Sequence, residues 1–197
     1  IRDVDGTTFP PEALPYPFWI DYGRDNYAGV TWNNIPESDG RRLFLGWMNN
    51  WDYGNSVPTK NFRSAMTLPR ELRLQHNGSH LVVASFPVKE VGDEQDSQPI
   101  IMNKLAENPL PIGADFYNNG YVVSFTVKLN ALKAFRFALQ NSKGEKIVYY
   151  FDTEEKNFVV DRRKSGLTDF SNNFADPLIV APLIPKKSYT IHLWVDK

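Results

Sequence analysis

The feature that most constrains this chain is its division into short runs of alternating apolar and polar residues, each closed by turn residues before a helix of any length could form. Tyr121 to Leu129 places Val123, Phe125, Val127 and Leu129 on one face and Val122, Ser124, Thr126 and Lys128 on the other, the pattern of a half-buried strand. Phe135 to Leu139 repeats it with Arg136 turned outward, and Lys146–Asp152, Asn157–Asp161, Pro177–Leu183 and Tyr189–Val195 follow at the spacing of a β-sandwich. Aromatic residues at 14% and 14 prolines lean the same way, because rings pack well on pleated surfaces and proline ends elements.

The first half reads as a meander. A proline-rich opening through Pro17 gives way to a strand over Asn26–Trp32, a loop ending in Asp39-Gly40, and a strand from Arg42 to Trp47. Ser64–Leu68 is expected to form a further short strand stopped by Pro69. Glu71–Gln75 and His80–Phe86 flank an Asn77-Gly78 hairpin. Composition turns polar at Pro87 and stays so to about residue 111, with weak helical potential at Ile101–Glu107. The expected organisation is a first unit over 1–86, a linker over 87–111 and a sandwich over 112–197. The chain opens on Ile1 and closes on the strand pattern Tyr189–Val195 without a following turn, so both ends are expected to be cut and the sandwich incomplete.

Several function classes drop out. A net charge of -1 leaves no electrostatic case for nucleic acid or an anionic membrane, and no apolar run reaches the length of a membrane span. Arg41-Arg42, Arg162-Arg163-Lys164 and Lys186-Lys187 are short and beside turns, so they read as solvated surface. There is no cysteine, and His76, His80 and His192 have no ligand spacing with a carboxylate cluster, so no metal is expected. Neither a Gly-x-Ser-x-Gly elbow nor a phosphate or dinucleotide loop occurs, and no cofactor is expected.

The stretch from Arg41 to Leu72 carries the chemistry. Its apolar strand ends in Trp47, Asn49, Asn50, Trp51, Asp52 and Tyr53. Aromatic faces stack on the C–H faces of a sugar while amides and carboxylates take its hydroxyls, so this is the composition of a sugar-binding floor. Core packing for the tryptophans and chain turning for the polar residues is the competing reading. Of the carboxylates, Glu37 with Asp39 and Asp152 with Glu154 and Glu155 lie in loops and read as solvated. Asp25, in the run Asp21 to Asp25, and Asp52 each adjoin an aromatic strand end and could share a site, as ligand acceptors rather than as acid and nucleophile.

Asp21-Tyr22-Gly23-Arg24-Asp25-Asn26-Tyr27-Ala28, Gly46-Trp47-Met48-Asn49-Asn50-Trp51-Asp52-Tyr53, Val57-Pro58-Thr59 and Arg63-Ser64-Ala65-Met66-Thr67-Leu68-Pro69-Arg70-Glu71-Leu72 resemble, in order and spacing, the late part of the catalytic domain of glycoside hydrolase family 32. Within the family the likeness is to levanases, inulinases and related fructan β-fructosidases. The remainder resembles the family's C-terminal sandwich more loosely. The resemblance implies an all-β fold, the last blade or blades of a five-bladed β-propeller followed by a truncated β-sandwich, and a retaining attack on fructosyl bonds. That chemistry needs two carboxyl groups roughly 5.5 Å apart. The family's nucleophile motif, its Arg-Asp-Pro and its Glu-Cys are absent: Trp47-Met48-Asn49-Asn50 lacks the aspartate, and Arg24-Asp25 is followed by Asn26. No catalytic role is therefore carried over to this chain.

The resemblance assigns Trp47 or Trp51 to an aromatic wall of the fructose pocket, with Asp25 and Tyr27 near its rim; Asn49 joins them as a substrate-binding candidate. Tyr27, Trp19 and Trp32 could equally fill the space between blades. The implied partners are a fructan or sucrose-type carbohydrate and the remaining part of the parent catalytic domain, in an extracellular or periplasmic setting. The alternative function is a non-catalytic carbohydrate-binding or structural support module.

Overall fold

The structure, a computed structural model, describes residues 16–77, 80–91 and 120–195. Four antiparallel strands form the first sheet in chain order: β1 (Tyr27–Thr31), β2 (Arg42–Trp47), β3 (Arg70–Asn77) and β4 (His80–Pro87). This is the expected meander, in the form of a propeller blade. β2 is the anchor, with Leu43 and Phe44 buried. β1 lies at the edge with all five residues exposed, and its register slips between Tyr27 and Val30, where Ala28 takes a φ of 49°. Gly29 is required at that bulge because the Phe44 ring lies over it; a Cβ there would sit 2.1 Å from Phe44 Cζ.

β3 and β4 pair from Arg70↔Pro87 to Asn77↔His80. The strands run further into the Asn-Gly turn than expected, so Asn77 is a paired residue; Gly78 and Ser79 lie outside the described residues. Ser64–Leu68 does not form a strand. It touches β2 by a single bridge, Trp47↔Met66, because Ser64 takes a left-handed φ of 61° and Pro69 ends the run two residues after Thr67. A one-turn 3-10 segment, Lys89–Val91, follows β4. The possible helix at Ile101–Glu107 lies outside the described residues.

The second half is a sandwich. β5 (Tyr121–Lys128) pairs with β10 (Ser188–Val195), and β6 (Ala134–Gln140), β7 (Lys146–Asp152), β8 (Asn157–Lys164) and β9 (Ile179–Pro182) form an antiparallel meander. The alternation along β5 holds: Val123, Phe125 and Val127 are covered while Val122, Ser124, Thr126 and Lys128 are exposed. Between the two sheets Val127, Leu129, Tyr189 and Ile191 meet Phe135 and Phe151, whose rings stack with centroids 4.5 Å apart. Phe137, Tyr149 and Phe158 extend this aromatic layer.

β8 runs three residues past the expected Asp161, and its extension carries Arg162, which is only 8% exposed. Reading Arg162 as solvated surface was therefore wrong. Its neighbour Arg163 behaves as expected, exposed and paired with Asp161. A single helical turn, α1 (Asn172–Ala175), follows in the stretch read as irregular, and it packs against β8.

Candidate functional site

β2 ends at Trp47, and the chain then folds into a loop that carries Trp51. The Trp47 indole Nε1 donates to the Arg63 carbonyl at 2.9 Å, which fixes its ring direction. Trp51 stands beside it with ring centroids 5.3 Å apart, and Tyr27 meets Trp51 edge-on at 6.4 Å. Trp47 is half-buried, whereas Trp51 is 64% exposed and Tyr27 is also open to solvent. Three aromatic rings thus form one accessible wall. Gly54 lets the chain close behind it: a Cβ there would lie 2.6 Å from the Asn50 carbonyl oxygen and 2.8 Å from Trp47 Cη2.

The polar candidates split. Asp52 is exposed and forms an ion pair with Arg24 at 2.7 Å. Asn49, expected to reach a ligand, is 1% exposed and engaged inside the protein: Nδ2 donates to Ser64 Oγ at 2.7 Å, and Oδ1 accepts from the Asn50 backbone N–H at 2.9 Å. Its side chain ties the Trp51 loop to the returning segment. Two further bonds seat that segment, since Gly46 N–H donates to Thr67 Oγ1 at 3.0 Å and Thr67 N–H to the Gly46 carbonyl at 2.8 Å.

Asp25, expected at the rim, is also engaged inside the protein. Its Oδ1 accepts from Asn50 Nδ2 at 3.0 Å and from the Tyr53 hydroxyl, and its Oδ2 accepts from Arg162 Nη1 at 2.7 Å. Arg162 Nη2 donates to the same Tyr53 hydroxyl at 2.8 Å. The guanidinium lies 3.8 Å from the centroid of Phe174, and Tyr53 meets Phe170 and Phe174 edge-on. Burial first, then the Asp25 hydrogen bond, pushes the Tyr53 phenol above its ordinary range, with Arg162 opposing. Asp25 and Asp52 are therefore not presented as a free pair; Arg162 answers one and Arg24 the other.

Arg162, Phe170 and Phe174 carry no local pattern that marks them as part of this cluster. The nearest to a signal is an i, i+4 pair of phenylalanines within an otherwise polar stretch, placed after a strand whose last residues are cationic.

An antiparallel four-stranded blade followed by a β-sandwich defines an all-β class of protein, and the comparisons specify the family. Residues 2–85 match the family model for the glycosyl hydrolases family 32 N-terminal domain, and residues 92–197 match the model for the glycosyl hydrolases family 32 C terminal. The chain belongs to glycosyl hydrolase family 32. It is 34% identical over 205 residues to the levanase of Bacillus subtilis, with all of this chain and 30% of that protein covered. It is 30% identical over 213 residues to the extracellular exo-inulinase of Aspergillus awamori, with all of this chain and 38% of that protein covered. The crystal structure of exo-inulinase from Aspergillus awamori superposes with a TM-score of 0.79 at 28% identity, over 98% of this chain and 39% of that one. The chain thus spans well under half the length of these relatives.

Proposed function

We propose that this chain is part of a retaining hydrolase of fructosyl linkages in fructans or sucrose, and that it supplies an aromatic wall of the sugar pocket. The observation that carries the reading is the exposed cluster of Trp51, Trp47 and Tyr27 at the end of β2, in a chain of this family. Trp51 and Tyr27 offer ring faces and edges to a fructosyl unit, Trp47 backs them, and Asp52 with Arg24 provides polar contacts beside the rings. Asp25 and Asn49 serve by holding the loop in shape. The proposed organisation is a blade over 1–86, a linker over 87–111 and a sandwich over 112–197. On this reading the reacting carboxyl groups lie outside these residues, since the sequence carries none of the family's nucleophile, Arg-Asp-Pro and Glu-Cys motifs.

The test is to incubate the chain with levan, inulin and sucrose and to assay released fructose. Binding without release is expected. Release by this chain alone would contradict the assignment of the reacting carboxylates elsewhere. Binding of unrelated β-glucans as tightly as fructans would instead favour a general carbohydrate-binding module.

A further inference from the structure

Among the described residues the Trp51 side chain makes only ring contacts, with Trp47 and Tyr27, so its position depends on the residues on either side. Asn50, immediately before it, is held by Nδ2 contacts to Asp25 Oδ1 at 3.0 Å and to the Arg24 carbonyl at 3.2 Å, while its Oδ1 accepts from the Asp52 backbone N–H at 2.9 Å. Tyr53, two residues after Trp51, gives its hydroxyl to Asp25 and receives from Arg162. Asn50 and Tyr53 therefore converge on Asp25, and Arg162 holds Asp25 and Tyr53 together, while Asn49 to Ser64 and Asp52 to Arg24 add ties made within the blade. Arg162 comes from the sandwich, 137 residues along the chain from Asp25.

We propose that Arg162 is a positioning residue for the sugar-facing loop: through this one guanidinium the sandwich sets where Trp51 stands on the blade. The inference rests on the reading of the Trp47, Trp51 and Tyr27 cluster as a sugar wall. The chemistry requires arginine. Two nitrogens of one planar fork reach Asp25 Oδ2 at 2.7 Å and Tyr53 Oη at 2.8 Å while the flat face covers the Phe174 ring at 3.8 Å. A lysine ammonium is a point donor that cannot make the fork and the stacked face together. The sandwich thereby acts on ligand affinity as well as on stability, although no side chain of β8 belongs to the aromatic wall.

The experiment compares the unaltered chain with Arg162→Lys, Arg162→Met and Asp25→Asn. The first readout is the near-ultraviolet circular dichroism of the Trp47–Trp51 pair, which depends on ring geometry and needs no ligand. The second is the affinity for levan-type and inulin-type fructo-oligosaccharides, titrated by tryptophan fluorescence. Far-ultraviolet dichroism checks that the sheets are retained; if Arg162→Met does not fold, Arg162→Lys and the near-isosteric Asp25→Asn decide the matter. The expected result is a reduced tryptophan couplet in every folded variant and an affinity loss of about tenfold, with Arg162→Lys failing to restore it. An unchanged couplet and unchanged affinity in folded variants would overturn the proposal. If the unaltered chain binds neither oligosaccharide, the sugar reading fails by itself, and the couplet alone decides whether Arg162 sets the loop.

Discussion

Replacing Tyr53 by phenylalanine removes one oxygen and keeps the ring, so the contacts with Phe170 and Phe174, at centroid distances of 6.2 and 5.4 Å, survive. What is lost is a hydroxyl that bonds an anion and a cation at once. Hydrogen bonds to charged partners contribute about 1.5–3 kcal/mol each. The two sides are unequal. The Asp25 side chain is 25% exposed and keeps Arg162 and Asn50, so water can make up part of its loss. The Arg162 side chain is 10% exposed, and its Nη2 would be left short of a partner beside a Nε that has none among the described residues. The expected cost of Tyr53→Phe is therefore about 2 kcal/mol, dominated by the arginine. Urea unfolding followed by tryptophan fluorescence should show a lower midpoint at unchanged slope. A loss below about 0.5 kcal/mol, the range of an ordinary surface substitution, would refute the claim that the cluster is a buried joint.

The same residue gives the variant a pH signature. Because the folded-state phenol is held above its ordinary value of 10.0, its contribution to stability is complete below that pH and is lost as pH rises through the folded value. The unaltered chain should lose stability more steeply above pH 10 than Tyr53→Phe does. Tyr22 and Tyr149, also raised chiefly by burial, are common to both proteins and cancel in the comparison.

Three further outcomes are expected. Gly29→Ala should destabilise by about 1–3 kcal/mol in urea unfolding, because the new Cβ would sit 2.1 Å from the ring of buried Phe44. Phe135→Ala should cost about 3–5 kcal/mol, since its ring stacks on Phe151 inside the sandwich core. On the acid side, the Arg41 hydrogen bond holds Asp39 down to about 2 and also lowers Glu90, while Arg73 lowers Glu71. Their contribution is present above the ordinary values of 3.8 and 4.5 and is lost as pH falls through the lower folded ones, so melting temperature should drop over that window, and less so in Arg41→Met.

The strands were legible because burial imposes a period of two on the side chains. β2 and β7 match the expected Arg42–Trp47 and Lys146–Asp152 to the residue, and the Val123, Phe125 and Val127 face of β5 is the covered one. Local rules failed where long-range partners decide. Arg162 resembled a solvated cation because nothing within its own stretch pairs with it; its anion and its phenol lie on the blade. Asp25 and Asn49 looked like ligand contacts for the same reason: a polar residue beside a tryptophan can face the sugar or face inward, and only the third dimension separates these. The contact between the two indoles was readable because Trp47 and Trp51 sit within five residues of a strand end, whereas the Asp25–Tyr53–Arg162 joint spans two sheets.

The most direct measurement is a tryptophan fluorescence titration of this chain with levan and inulin oligosaccharides, run beside Trp51→Ala. Saturable quenching or enhancement is expected for the unaltered chain and is lost in Trp51→Ala, with the urea midpoint unchanged because the removed ring is 64% exposed. Equal binding by both proteins would mean that the sugar does not sit on the exposed Trp51 face.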